Sequence, residues 1–172
     1  SDSFKGSLTS EEVGLAVKEG VLKVHPDYEV VVVPVADGGE GTVKAIITAA
    51  LNRGVENTHY INCKVQNPLG REIIAQYGVS GDTAYIEIAA ASGVSLLAPK
   101  DRNPMITSSF GTGQLIVDAL KRGYKKFVIG LGGSATVEAG TGMLSALGFH
   151  FVNDNQYPLT GKASSLRYVI GI

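Results

Sequence analysis

The sequence predicts an α/β fold, from three observations. A β-branched run, Val30-Val31-Val32-Val33, passes through Pro34-Val35-Ala36 into the turn Asp37-Gly38-Gly39-Glu40-Gly41-Thr42 and directly into a helical pattern of Val43, Ile46, Ile47, Ala50 and Leu51. The same grammar recurs at Lys126-Phe127-Val128-Ile129, which runs into Gly130-Leu131-Gly132-Gly133-Ser134-Ala135. Between them lie three alternating or β-rich runs separated by short turns. Strand, glycine turn and helix in succession is the pattern of α/β units, and consecutive strands on short turns predict antiparallel pairing.

Each element follows from a local signal. Thr9 and Glu12 form a capping-box pair, and Val13, Val17, Val21 and Val24 share one helical face that His25-Pro26 ends. Residues 29–35 are the buried strand of the opening observation, and residues 39–51 its helix. Residues 60–65, 73–79 and 84–90 read as strands, with Asn67-Pro68-Leu69-Gly70 and Ser80-Gly81-Asp82 as the turns between them. Residues 113–122 predict a short amphipathic helix with Leu115, Ile116, Ala119 and Leu120 inward, stopped by Gly123. Residues 126–131 predict a strand, 140–147 a helix and 149–152 a last strand. A boundary near Gln66 divides the chain into residues 1–65 and 66–172, with no long linker and hence two parts packed together. The chain opens without Met on a loop-like Ser1-Asp2-Ser3-Phe4-Lys5-Gly6-Ser7, so a first strand ahead of Asp2 and a closing element after Ile172 are expected to be missing.

Composition narrows the function. A chain of 172 residues, 44% hydrophobic and 18% charged, can bury a real core and is not disordered. A net charge of -1 argues against nucleic acid or an acidic membrane as main partner and leaves a small anionic substrate open. The single cysteine, Cys63, excludes an internal disulfide and a cysteine-based zinc site. With no membrane-length apolar run and no signal peptide, a cytoplasmic location is expected.

Four segments could carry chemistry. In Asp2-Ser3-Phe4-Lys5-Gly6-Ser7, a lysine among small hydroxyls could hold a phosphate or carboxylate, or be a solvated loop residue. In Asp37-Gly38-Gly39-Glu40-Gly41, the carboxylates could hold Mg²⁺, orient a hydroxyl, remove its proton, or simply favour a helix N-terminus. In residues 102–113, Arg102 could clamp a carboxylate, while Thr107, Ser108, Gly111, Thr112 and Gly113 suit an anion at a helix start or an ordinary capped helix. Gly130 to Ala135 matches G-x-G-x-x-A, with Asp154 about where a ribose-binding acid would stand, so an NAD-dependent oxidoreductase is one alternative. A non-catalytic small-anion binding module is another. Glu87, in Ala84-Tyr85-Ile86-Glu87-Ile88-Ala89-Ala90, lies either on a solvated strand face or near the site. No phosphate-binding P-loop, zinc-protease helix motif or serine nucleophile elbow occurs.

Taken in order, these segments resemble the glycerate kinase family. The resemblance rests on Asp2-Ser3-Phe4-Lys5-Gly6-Ser7-Leu8, on Pro34 to Thr42, on Pro68-Leu69-Gly70, on Ile86 to Gly93, on Arg102-Asn103-Pro104, on Thr107 to Gly113 and on Ile129 to Thr136. It departs where Val137-Glu138-Ala139-Gly140 replaces the family's Asn-Asp-Gly-Gly, and where Ser108 stands in place of the commoner Thr.

The resemblance implies two α/β domains facing a cleft, the first flavodoxin-like (Rossmann-like) and incomplete here, the second a mixed-sheet α/β domain. It implies ATP and Mg²⁺ as cofactors and D-glycerate as substrate, giving 2-phosphoglycerate more readily than 3-phosphoglycerate. It assigns Lys5, Asp37 and Glu40 to catalysis, with Asp37 also a metal-ligand candidate. Ser3, Ser92, Arg102, Thr107 and Ser108 would bind substrate. Gly38, Gly39, Gly111, Thr112, Gly113, Gly132, Gly133 and Ser134 would cradle phosphate. No nucleic-acid or membrane partner is implied, and a homo-oligomer is compatible with it.

Overall fold

A computed structural model describes residues 7–33, 35 and 37–172. Helix α1 spans Ser10–Val24 and α2 Thr42–Asn52; strands β1 His59–Gln66, β2 Glu72–Ser80 and β3 Thr83–Glu87 follow. Next come a one-turn helix α3 (Ala89–Ser92), two 3-10 turns (Val94–Leu96 and Pro99–Asp101), helix α4 (Phe110–Lys121), strand β4 (Lys126–Gly130) and the short helices α5 (Thr141–Ala146) and α6 (Ala163–Leu166). The four strands form one mixed sheet in the order β1-β2-β3-β4. β1–β2 and β2–β3 are antiparallel and β3–β4 is parallel. The expected α/β class, antiparallel run and mixed sheet are therefore all present.

Side-chain alternation decides which helix covers which face. On β2 the odd residues Ala75, Tyr77 and Val79 are buried with Ile61 and Val65 of β1, Ala84 and Ile86 of β3, and Leu115, Ile116 and Ala119 of α4. The even face meets α2: a Cβ added at Gly78 would stand 2.5 Å from Ile47 Cγ1 and 2.7 Å from Val43 Cγ1, so glycine there lets the helix lie against the strand. α2 and α4 thus sandwich the sheet. Full burial of a side chain such as Leu115 or Ile86 contributes about 1.5–3 kcal/mol. Exposed pairs such as Lys23–Glu19 and Lys64–Glu72 contribute about 0–1 kcal/mol, so the sandwich rather than surface charge holds the fold.

The capping box appears as predicted: Glu12 N donates to Thr9 Oγ1 (3.2 Å) and Thr9 N to Glu12 Oε2 (2.7 Å). Four expectations are corrected. No strand forms over the described part of residues 29–35; Val31, Val33 and Val35 are 72, 68 and 65% exposed, because no described strand lies beside them to complete a ladder. Pro34 and Ala36 lie outside the described residues. The helix expected from Gly39 starts at Thr42, since Gly38 and Gly41, at φ +98° and +91°, take a left-handed turn ahead of it. The strand over 84–90 stops at Glu87, where Ile88 turns to helical geometry and opens α3. The strand over 149–152 is absent: Val152 makes only isolated bridges to Pro158 and Gly171.

Candidate functional site

The parallel pair β3–β4 ends at Glu87 and Gly130, which are register partners. In α/β sheets the carboxyl ends of parallel strands are where ligands bind. The acidic turn 37–41 docks on this edge. Gly132 N donates to the Gly38 carbonyl at 2.8 Å, and Ile88 N to the Gly130 carbonyl at 2.9 Å. The two glycine turns approach backbone to backbone. A Cβ at Gly130 would stand 2.5 Å from Gly38 O, and one at Gly132 2.5 Å from Gly39 Cα. Glycine is required at both positions by this contact, independently of any ligand.

Within the turn, Gly39 N donates to Asp37 Oδ1 (3.0 Å) and Gly38 N to Thr42 Oγ1 (3.1 Å), while the Thr42 hydroxyl donates to Gly39 O (2.8 Å). These bonds fix the turn and leave the second oxygen of Asp37, an exposed residue, without a hydrogen-bond partner among the described residues. Glu40 is exposed and reaches the β4 loop, its Cγ lying 3.9 Å from where a Gly133 Cβ would be.

Glu87 supplies what the turn alone lacks. Its Oε1 accepts from Val43 N at 2.6 Å, capping α2, whose N-cap residue Gly41 has no side chain to do so. Burial pushes its carboxyl above the usual range, opposed by the N–H groups of Val43, Gly41 and Thr42 and reinforced by the charge of Glu40. The positive end of α2 is therefore occupied by this chain's own carboxylate.

The loop after β4 carries the remaining donors. It makes a bridge to Gly93, with Val94 N donating to Gly133 O (3.0 Å) and Ala135 N to Ser92 O (2.9 Å). Ser134 Oγ lies 2.9 Å from Thr136 Oγ1 and accepts from Thr136 N at 3.1 Å. The amide groups of Gly133 and Ser134 have no hydrogen-bond partner among the described residues. This loop does not enter a helix at once, as a dinucleotide turn must: α5 starts only at Thr141 and has six residues. The oxidoreductase alternative loses its structural basis there.

The segment 102–113 builds a second, adjoining cluster. The Thr107 hydroxyl donates to Ala135 O at 2.7 Å, tying it to the β4 loop. Ser109 N donates to Glu138 Oε1 at 2.9 Å, the Ser109 hydroxyl bonds the same oxygen, and Met143 N donates to Ser109 Oγ at 2.9 Å. Glu138, 1% exposed, thus closes the start of α4 as Glu87 closes that of α2. Ser92 and Thr112 are fully buried and share a hydrogen bond of 2.7 Å. Gly111 and Gly113 serve packing: added Cβ atoms would meet Gln66 O at 1.8 Å and Met143 O at 2.4 Å. Arg102 is exposed, its Nε donating to Leu97 O at 3.3 Å.

The structure therefore brings Asp37, Gly38, Gly39, Glu40, Gly132, Gly133 and Ser134 together on one edge, with Thr107 linked to them through Ala135. Ser3 and Lys5 lie outside the described residues. Sequence reasoning missed the capping roles of Glu87 and Glu138; the signal for the first was a lone carboxylate in an otherwise apolar strand end. Among the described residues no group of three or more His, Cys, Asp or Glu could hold a metal, and no helix is long and apolar enough to cross a membrane.

Comparison with known proteins gives one consistent result. The model of the Glycerate kinase family matches residues 1–172. A "Glycerate kinase" of Haemophilus influenzae is 44% identical over 173 residues, covering 99% of this chain and 44% of that protein. A "Glycerate 2-kinase" of Escherichia coli is 46% identical over 156 residues, covering 90% of this chain and 39% of that protein. A crystal structure from Salmonella typhimurium LT2, provisionally named glycerate kinase 2, superposes with a TM-score of 0.76 at 39% identity, covering 99% of this chain and 45% of that one. The chain thus spans less than half the length of these relatives.

Proposed function

This chain belongs to the glycerate kinase family, and on that premise we propose that the protein containing it transfers the γ-phosphoryl group of ATP to a hydroxyl of D-glycerate, yielding 2-phosphoglycerate and ADP. The observation that carries the proposal is the packing of the acidic turn 37–41 onto the Gly130–Gly133 loop at the carboxyl edge of β3 and β4. It packs the turn that carries Asp37 and Glu40 against a loop whose Gly133 and Ser134 amides have no hydrogen-bond partner among the described residues.

Phosphoryl transfer needs alignment and charge neutralisation more than covalent chemistry. Asp37 is proposed to accept the proton of the attacking hydroxyl or to orient it through its second oxygen, with Glu40 in the same turn. Gly133 N and Ser134 N are proposed to donate to phosphate oxygens. Lys5, assigned by family resemblance alone, would neutralise the transferring group. Mg²⁺ is commonly held by one or two carboxylates with substrate phosphates completing its shell, and the unengaged oxygen of the exposed Asp37 carboxylate suits that mode. When bound, the ion would neutralise phosphate charge. The proposal includes two domains facing a cleft and a cytoplasmic location. The 2-position follows the name of the E. coli relative.

The test is turnover by the intact protein with D-glycerate, ATP and Mg²⁺, with ADP release followed and the phosphoglycerate isomer identified by NMR. Asp37→Asn is expected to lower kcat by roughly 10²-fold or more. A wild-type kcat in that variant removes Asp37 from the chemistry. Absence of turnover by folded wild-type protein refutes the function.

A further inference from the structure

The β1–β2 turn, the start of α4, Ser145 of α5 and the segment before α6 line an open cavity of about 310 Å³. β1 ends and β2 begins at the same end of the sheet as the carboxyl ends of β3 and β4, so the cavity lies on the ligand edge. Among the described residues no carboxylate lines it: Asp37, Glu40 and Glu87 are not part of its wall. Asn67, Ser108 and Lys162 are its polar side chains of consequence, and Leu69, Phe110 and Leu159 its apolar ones.

Each polar group has a spare donor. Asn67 is only 8% exposed, and its Oδ1 accepts from Leu69 N (2.9 Å) and Arg71 N (3.0 Å). Two N–H donors on one atom identify that atom as the oxygen, so the other is Nδ2. Asn67 Nδ2 has no protein acceptor among the described residues. No side-chain nitrogen or oxygen there is sealed without a partner, so Nδ2 is open to solvent-accessible space, and Asn67 lines this cavity. Ser108 Oγ accepts from Phe110 N at 3.3 Å, which leaves its O–H to donate. Lys162 is half-buried and makes no ion pair among the described residues. A half-buried lysine with no ion-pair partner among the described residues, lining a cavity that two spare donors and apolar walls also line, is complementary to an anion.

The geometry points to a small-anion site in this cavity, with Lys162 supplying the charge and Asn67 Nδ2 and the Ser108 hydroxyl the hydrogen bonds, occupied by the carboxylate of the three-carbon acceptor. The volume stands at the low end of ligand pockets, about 300–1,000 Å³, and suits a small organic acid rather than a whole nucleoside triphosphate. The identity of the occupant rests on the kinase function proposed above; the anion site itself does not.

The test compares the intact wild-type protein with Lys162→Gln, Lys162→Arg and Ser108→Ala. Calorimetric titration with D-glycerate, and separately with inorganic phosphate, accompanies KM for D-glycerate and for ATP. Loss of a charge-assisted contact is expected to weaken D-glycerate binding and raise its KM roughly tenfold or more in Lys162→Gln, with KM for ATP unchanged. Lys162→Arg restores most of the affinity, and Ser108→Ala shows a smaller rise, which supports the site even where Lys162→Gln folds poorly. Unchanged D-glycerate affinity and KM in well-folded Lys162→Gln overturn the site. A rise in KM for ATP alone assigns the cavity to phosphate and overturns the acceptor carboxylate as its occupant. If the wild type turns over no D-glycerate, the kinase function fails separately. The anion site then stands if Lys162→Gln weakens binding of either anion, and falls if the wild type binds neither.

Discussion

Glu87, the last residue of β3, accepts a hydrogen bond of 2.6 Å from the backbone N–H of Val43 in the first turn of α2. That bond couples the carboxyl edge of the sheet to the helix that follows the acidic turn. The position of Asp37 and Glu40 over the β4 loop therefore depends on a side chain more than forty residues away in sequence.

Replacing this cap is expected to loosen the turn. Glu87→Ala should cost about 0.5–2 kcal/mol, as loss of an N-cap does, and lower kcat in the intact enzyme. Urea unfolding and steady-state kinetics check both; unchanged values in both would show that Gly41 needs no partner.

The same carboxylate gives a pH signature. Its folded value lies above the ordinary 4.5, so between the two values the native state holds more proton than the unfolded chain. Its contribution to stability therefore falls as pH rises above 4.5 through the raised folded value. Glu87→Gln should remove that slope, read as stability against pH for the two proteins.

The backbone contact between the glycine turns is intolerant of a methyl group. In Gly132→Ala the Cβ would meet Gly39 Cα at 2.5 Å and Gly39 N at 2.6 Å, neither of which can rotate away. A cost of about 1–3 kcal/mol and a loss of activity are expected. Gly20→Ala, in α1 with nothing within 4 Å of the new Cβ, should instead stabilise by about 0.5–1 kcal/mol. Thermal melting of the pair compares them directly.

Glu138→Ala would strip Ser109 of the acceptor for both its N–H and its hydroxyl, in a site 1% exposed. Destabilisation of about 1–3 kcal/mol is expected, with partial recovery in Glu138→Gln, which keeps one oxygen. Urea midpoints of the two variants provide the check.

On the face of the sheet that α4 covers, Tyr77 Oη donates to Asp118 Oδ2 at 2.8 Å. Burial alone would raise the Asp118 carboxyl, but the hydrogen bonds of Arg122 and Tyr77 outweigh it and hold the group below its ordinary 3.8. The resulting stability is present above 3.8 and lost as pH falls through the lower folded value. Tyr77→Phe should cost about 1 kcal/mol near neutral pH and shrink that acid-side loss, measured by unfolding across the acid range.

The sequence by itself determined what depends on neighbours a few residues apart. The Thr9–Glu12 cap, the period-2 alternation of β1 and β2 with their short turns, and the inward face of α4 at Leu115, Ile116 and Ala119 are local patterns, and each reappears in the fold. The glycine turns at residues 37–41 and 130–133 were legible too, as two turns following β-rich runs. The tertiary structure alone decided what those glycines touch, because Gly38 and Gly132 meet across more than ninety residues of chain. It also decided that residues 29–33 form no strand, since a ladder needs a neighbour that a propensity cannot supply. The same holds for Glu87 and Glu138 at the starts of α2 and α4: a carboxylate acquires a capping role only when the fold brings an unpaired N–H to it.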